Sequence, residues 1–143
     1  MQTDTILASF WMVNMASFTL LIRSAPFASG QHQIAQDFLQ QAISQGHTID
    51  RVFFYQDAVY CGLNTLQPVQ GQPSVTEQWQ KLATQFDFPL QLCIANALRR
   101  GICNEEERQR YNLSAATCAE HFELSGLGEM AEACAQSDRV MEF

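Results

Sequence analysis

Four consecutive apolar residues, Val52-Phe-Phe-Tyr55, constrain the fold of this chain more than any other stretch. A strand with one wet face alternates apolar and polar residues, whereas a strand of a parallel sheet is covered on both faces and is apolar throughout. The run therefore predicts a buried, central parallel strand at about residues 49–55. Because parallel neighbours need crossover connections, which are usually helices, the rest of the chain should alternate strands and helices.

The remaining segments fit this alternation. Further strands are predicted at 17–23, 88–93, 121–124 and 138–143. Apolar residues spaced three and four apart predict the main helices. Their expected core faces are Ile34, Phe38, Leu39, Ala42 and Ile43 in the first, Trp79, Leu82, Ala83 and Phe86 in the second, and Leu127, Met130, Ala131 and Cys134 in the last. Right-handed crossovers between such strands give an α/β fold, a three-layer sandwich with a mostly parallel five-stranded sheet.

Length and composition predict one domain. With 143 residues, of which 47% are hydrophobic and 16% charged, the chain is typical of soluble globular proteins with a sizeable core. We predict a single domain at 15–143, preceded by an N-terminal extension at 1–14. Residues 5–22 are mostly apolar, but no Lys or Arg precedes Arg23 and polar residues interrupt the run. Neither a signal peptide nor a membrane span is therefore predicted.

Charge and cysteine content narrow the classes of function. The net charge is −7, and residues 101–143 hold nine acidic and three basic residues. Nucleic-acid binding relies on basic patches that neutralise phosphates, so direct binding of nucleic acid is not predicted. Five cysteines, an odd number without the spacing of a small disulfide scaffold, indicate reduced thiols in a cytosolic setting.

Cys93 is the candidate nucleophile. It ends the strand predicted at 88–93 and precedes a helix predicted at 94–100, so its sulfur should lie where ligand crevices form in parallel sheets. The start of a helix also favours the thiolate form, and we expect an accessible, reactive thiol. Arg99 and Arg100, near the end of that helix, either match its dipole or supply a positive field for a thiolate or an acidic partner.

The other cysteines are weaker candidates. Cys61 follows the second strand on the same edge of the sheet, which leaves open a role as a resolving thiol for Cys93. Cys134 is expected to face the core as a small apolar side chain. Cys103 lies beside a predicted helix start and Cys118 in a segment without clear periodicity, so neither is assigned a chemical role.

Metal and dinucleotide sites are not predicted. Cys118-x-x-His121 has the spacing of a ligand pair, but no second pair completes a tetrahedral site, and His32 and His47 flank an ordinary amphipathic helix. Ser125-Gly-Leu-Gly128 lacks the third glycine of the dinucleotide fingerprint and is expected to open a closely packed helix.

Four short segments carry a family likeness, in this order along the chain: Val52-Phe-Phe-Tyr55 with Val59-Tyr60, Cys93 with Ala97-Leu-Arg-Arg-Gly-Ile102, Ser125-Gly-Leu-Gly128, and Asp138-Arg-Val-Met-Glu-Phe143. Together they resemble the DsrE/TusD family of sulfurtransferase subunits, from about residue 15 to the end of the chain. The resemblance implies a flavodoxin-like, DsrE-like fold without a cofactor or metal, in which Cys93 is the catalytic cysteine and carries sulfur as a persulfide. Two departures are the first loop, Ser24-Ala-Pro-Phe27, which has few glycines, and residues 1–14, which have no family counterpart.

The resemblance also implies a setting for this chemistry. It implies a cytoplasmic relay subunit in a heterohexamer with TusB-like and TusC-like partners, with a TusA-like sulfur donor and a TusE-like acceptor, that serves 2-thiolation of the tRNA wobble uridine. Two alternatives stay open. A DsrE-type subunit of dissimilatory sulfur oxidation would use the same cysteine chemistry, and a non-catalytic assembly subunit would not need Cys93 at all.

Overall fold

The structure, a computed structural model, describes residues 15–143, so the predicted extension at 1–14 lies outside the described residues. In chain order the elements are β1 Ser17–Ile22, α1 Gln31–Ser44, β2 Thr48–Phe54, a 3-10 helix Gln56–Gly62, α2 Val75–Phe86, β3 Leu90–Cys93, α3 Ile94–Arg99, α4 Glu105–Arg110, β4 Phe122–Ser125, α5 Leu127–Gln136 and β5 Arg139–Glu142. The predicted alternation of strands and helices is confirmed.

The five strands form one parallel sheet in the order β4-β3-β2-β1-β5. Val52, Phe53 and Phe54 of the apolar run form the buried second half of β2, the middle strand, and Val52 is in register with Leu20 of β1 and Leu90 of β3. Burial on both faces explains why this half has no polar alternation, whereas residues 48–51 of the strand are exposed or half-buried and mostly polar. In the flavodoxin order the second strand lies at an edge, so the sheet shares the flavodoxin layers but has its own strand order.

Helices cover both faces of the sheet, which gives the predicted three layers. On one face Phe54 of β2 is fully buried, with its ring centroid 6.1 Å from that of His32 in α1 and 5.3 Å from that of Trp79 in α2. Helix α5 packs against β2 from the other face, and Ser137 at its end hydrogen-bonds Thr19 of β1 at 2.7 Å. The central strand therefore lies within the core.

The predicted core face of α1 is wrong at its first position. Ile34 is 51% exposed, whereas the buried residues of the helix are His32, Ala35, Gln36, Leu39 and Ala42. The helix is rotated so that two polar side chains lie inward, and periodicity of apolar residues does not detect such a face. Phe38 is half-buried at its margin.

The predicted core face of α5 is also mostly wrong. Met130 is buried as expected, but Leu127 is 54% exposed and Ala131 and Cys134 are exposed. The second residue that faces the sheet is Ala133. Alanines occur on several sides of this short helix, so the spacing of apolar residues does not define one face.

His32 takes part in a buried polar network. Trp79 Nε1 donates to His32 Nδ1 at 3.0 Å, so the ring proton resides on Nε2, which donates to the Ser24 carbonyl at 2.7 Å. The neutral ring is thus fully hydrogen-bonded. Burial lowers the pKa of His32 below its ordinary value of 6.5, although the hydrogen bond to Ser24 opposes the shift.

This network predicts a pH-dependent stability. The pKa of His32 is lower in the folded chain than in the unfolded chain, so its contribution is complete above about pH 6.5 and is lost as the pH falls toward the folded-state value. For one proton the loss is at most about 1.4 kcal/mol per pH unit. Urea unfolding at a series of pH values should show this slope in the native chain and a shallower one in His32→Gln. The control His121→Gln, at an exposed position, should keep the native slope, and equal slopes in all three chains would contradict the prediction.

Candidate active site around Cys93

Cys93 lies where the sequence predicted, at the end of β3 and directly before α3. Helix α3 ends before Gly101, whose positive φ of +78° suits a glycine. The expectation of an accessible thiol is wrong for this chain, because Cys93 is 1% exposed. All four residues of β3 are buried, and the 3-10 helix packs against both β3 and α3.

A side-chain amide contacts the Cys93 sulfur. Asn96, one turn further along α3, places Nδ2 2.9 Å from Cys93 Sγ. An amide nitrogen is a hydrogen-bond donor and the sulfur accepts, and a donor to sulfur favours its negatively charged form. Helix α3 has only six residues. We therefore assign the stabilisation of a negative sulfur to this hydrogen bond and not to the dipole of the helix.

Arg100 contacts Asn96 on the side that faces away from Cys93. Its Nη1 lies 3.1 Å from the Asn96 carbonyl and 3.4 Å from Asn96 Oδ1. Its Nε and Nη2 each lie 2.9 Å from Asp57 Oδ1 in the 3-10 helix. The sequence pointed to Arg100 but not to Asn96 or Asp57. The sequence contained a signal for each of these two residues. Asn96 follows Cys93 by three residues, and Asp57 follows β2 at the same edge of the sheet.

The glycine-containing segment of the sequence lies beside this site. Parallel pairing of β3 and β4 puts Ser125 in register with Cys93, and Gly126 precedes α5. Ser125 is buried and its hydroxyl hydrogen-bonds the Glu129 carboxylate. The prediction that this segment opens a helix is confirmed, but the expected close packing is wrong, because a Cβ atom built on Gly126 or Gly128 would meet no atom within 4 Å. The segment adjoins the candidate nucleophile.

A close contact fixes the 3-10 helix over the end of β3. A Cβ atom built on Gly62 would lie 2.4 Å from Leu92 Cδ1, and Leu92 is fully buried beside Cys93. A larger residue at position 62 would force this part of the core to shift. The missing side chain therefore allows the segment that carries Asp57 to approach β3.

Two of the remaining cysteines have raised pKa values. Cys61 is fully buried in the 3-10 helix, and burial raises the pKa of its thiol well above the ordinary range. Burial, together with the nearby Cys103, raises the pKa of Cys118 to about 11. Both residues are thus held as thiols, which are poor nucleophiles. A buried thiol of this kind is poorly suited to act as a resolving partner for Cys93.

Cys103 and Cys134 differ in exposure. Cys103 is 2% exposed and its Sγ lies 3.2 Å from the Ala115 carbonyl. Cys134 is exposed on α5, contrary to the predicted core position. Neither has an amide donor comparable to that of Asn96 among the contacts of the described residues.

Within residues 15–143, no group of three or more His, Cys, Asp or Glu side chains is arranged to hold a metal ion. His32 is engaged by Trp79 and Ser24, and His47 accepts a hydrogen bond from the Ala16 amide at 3.0 Å. The same range contains no helix with both the length and the apolar character needed to cross a membrane.

Residues 16–143 match the DsrE/DsrF-like family. The chain therefore belongs to the DsrE/DsrF-like family, as the sequence resemblance indicated, and it is a sulfurtransferase. It is similar to Sulfurtransferase TusD of Photorhabdus laumondii, with 39% identity over 127 residues that cover 89% of this chain and 97% of that protein. It is similar at 40% identity, with the same coverage, to the Sulfurtransferase TusD homolog of Vibrio parahaemolyticus.

A solved structure supports the fold. The ychN protein from E. coli is similar to this chain with a TM-score of 0.67, covering 90% of this chain and 100% of its own. Its sequence identity is 22%, so the likeness concerns the fold alone.

Proposed function

We propose that this protein is a sulfur-relay subunit that accepts sulfur as a persulfide on Cys93 and passes it on for 2-thiolation of the tRNA wobble uridine. The observation that carries the proposal is the Asn96 amide directed at Cys93 Sγ, at the carboxyl edge of a parallel sheet, where ligand crevices form. The relatives named as sulfurtransferases support the same chemistry.

The transfer needs two displacements and no external oxidant. In the first, the Cys93 thiolate attacks the outer sulfur of a donor persulfide, a new S–S bond forms, and the donor leaves as a thiolate. In the second, an acceptor thiolate attacks the outer sulfur now bound to Cys93, and the electron pair of the broken S–S bond returns to Cys93 Sγ. Both steps follow the displacement logic of thiol–disulfide exchange.

The burial of Cys93 sets a condition on both steps. At 1% exposure, the sulfur cannot be reached by another sulfur atom unless the segments around it move apart. The 3-10 helix and α3 are the elements that pack together at this point. We therefore place the required motion between these two elements.

Sulfur loading tests the proposal directly. After exposure to a persulfide donor, the intact mass should increase by about one sulfur, ~32 Da, and the gain should be lost on reduction. Peptide mapping should place the added sulfur on Cys93. Equal labelling of the exposed Cys134, or no labelling of the folded chain, would contradict the proposal and favour a non-catalytic assembly subunit.

We further propose that the chain works in a hetero-oligomer with TusB-like and TusC-like subunits, between a TusA-like donor and a TusE-like acceptor. A net charge of −7 gives it little means to hold a polyanion, so tRNA should be bound by later members of the relay. Coexpression should yield a complex larger than a homodimer. The isolated chain should bind tRNA no more tightly than about 10⁻⁴–10⁻⁶ M at physiological salt. Tight, salt-sensitive tRNA binding by the chain alone would instead indicate a direct modifying role.

A further inference from the structure

We infer that Asn96 is a second catalytic residue of this site, which stabilises the thiolate of Cys93, and that Arg100 and Asp57 are positioning residues that fix the orientation of the Asn96 amide. The inference rests on the proposed role of Cys93 as the sulfur carrier. It is carried by three consecutive contacts, from Cys93 Sγ to Asn96, from Asn96 to Arg100, and from Arg100 to Asp57.

Arg100 determines which end of the amide faces the sulfur. A guanidinium group has only donors, so the atom of Asn96 that faces Arg100 Nη1 at 3.4 Å must be the oxygen. The amide nitrogen must then point the other way, toward Cys93 Sγ at 2.9 Å. If the amide were rotated by half a turn, its oxygen would face the sulfur and would repel a thiolate. Arg100 therefore selects the orientation that supports the charged form of Cys93.

Asp57 in turn holds Arg100. The Asp57 carboxylate accepts from both Nε and Nη2 of Arg100 at 2.9 Å, and the Arg100 side chain is only 22% exposed. Because the guanidinium charge is paired, Arg100 acts mainly through the position of the amide rather than through its own field. Asp57 also links α3 to the 3-10 helix, so the amide orientation depends on the contact between these two elements.

Glu129, a charged residue of α5, does not replace this donor. It hydrogen-bonds Ser125, the register partner of Cys93 on β4. A carboxylate accepts hydrogen bonds and disfavours a nearby thiolate. The stabilising contact to the sulfur therefore comes from α3, the element that also carries Arg100.

The donor matters most when sulfur leaves Cys93. When the S–S bond of the Cys93 persulfide breaks, the electron pair and negative charge return to Sγ, and a better-stabilised thiolate leaves faster. During loading the same stabilisation increases the thiolate fraction but weakens its attack, so the two effects partly cancel. Loss of the amide should therefore slow release more than loading.

Two rates test the inference on the full chain, both followed by intact mass. The first is the rate at which the chain is loaded by a persulfide donor. The second is the rate at which the loaded chain gives up sulfur to 2-mercaptoethanol, at thiol concentrations where the rate rises in proportion to the thiol. In Asn96→Ala and the size-matched Asn96→Leu, release should slow by about tenfold or more and loading should slow by less.

Variants at Arg100 and Arg99 test the positioning role of Arg100. Arg100→Ala also breaks the ion pair that joins α3 to the 3-10 helix, which favours opening of the site. Its effect on release is therefore compared between two backgrounds: the change in release rate should be at least about fivefold more unfavourable in the native chain than in the Asn96→Ala chain, because the positioning role needs the amide. Arg99→Ala removes the same charge from an exposed neighbouring position and should behave as the native chain. Both replacements of Asn96 introduce good helix formers, so the fold of α3 should persist.

The outcomes separate this inference from the proposed function. If Cys93 loads with sulfur but Asn96→Ala releases sulfur within twofold of the native rate, the inference is wrong and the proposed function stands. If Cys93 never loads, the proposed function and the inference that rests on it are both wrong. An effect of Arg99→Ala equal to that of Arg100→Ala would overturn the positioning role, because charge alone would then explain it.

Discussion

Replacement of Cys93 by serine is expected to abolish sulfur addition to the chain while leaving its fold unchanged. The serine hydroxyl is close in size to the thiol and can still accept the hydrogen bond from Asn96, so the end of β3 should pack as before. A hydroxyl does not form a persulfide under these conditions. After exposure to a persulfide donor, the intact mass of Cys93→Ser should therefore show none of the reducible gain of about 32 Da expected for the native chain.

A matched control is available at Cys134. It is exposed on α5 and should be the thiol most easily reached by reagents. Cys134→Ser should nevertheless keep the full gain on Cys93. In a complex reconstituted with the proposed TusB-like and TusC-like subunits, Cys93→Ser should also stop transfer to the acceptor. Undiminished transfer by that complex would assign the chain an assembly role instead.

Replacement of Phe54 by alanine should destabilise the fold by about 3–5 kcal/mol. Phe54 is fully buried in the central strand and its ring contacts His32, Trp79 and Phe122, with centroid distances of 5.3 to 6.1 Å. Its removal would leave a cavity between β2 and two helices that cannot easily close. Urea unfolding followed by circular dichroism would measure the loss.

Phe27 provides the comparison for this measurement. It is 68% exposed, so Phe27→Ala should change the free energy of unfolding by no more than about 0.5 kcal/mol. Similar losses at the two positions would show that the packing around Phe54 is looser than the geometry indicates.

The fold was largely predictable because each strand is indicated by residues that are adjacent in the sequence. The apolar run at 52–55 identified a central parallel strand without reference to any other segment, and Gly46 and Gly101 ended two helices at the expected places. The faces of α1 and α5 were less predictable. His32 is buried because Trp79, 47 residues away, supplies a hydrogen bond, and no local pattern contains that information.

The place of Cys93 in the fold was predictable, because it lies at the junction of a strand and a helix that are adjacent in sequence. The sequence also pointed to Arg100, but not to its contacts with Asn96 and Asp57. Asp57 and Arg100 meet across 43 residues, and their contact depends on the crossover between β2 and β3. The packing of the 3-10 helix against β3, where a side chain at Gly62 would meet Leu92, is likewise a contact that no local pattern contains.

On the proposed function, the burial of Cys93 determines which molecules can take sulfur from it. A persulfide on an exposed cysteine would be consumed by whichever small thiol is most abundant. A persulfide on the buried Cys93 would be open to thiols only while the elements around it are apart, so it would outlast an exposed persulfide at the same concentration of reductant. An acceptor that holds these elements apart on binding would draw sulfur faster than a more abundant thiol that does not. The selectivity of the transfer would then be a property of opening, and a closed chain would store its sulfur between encounters.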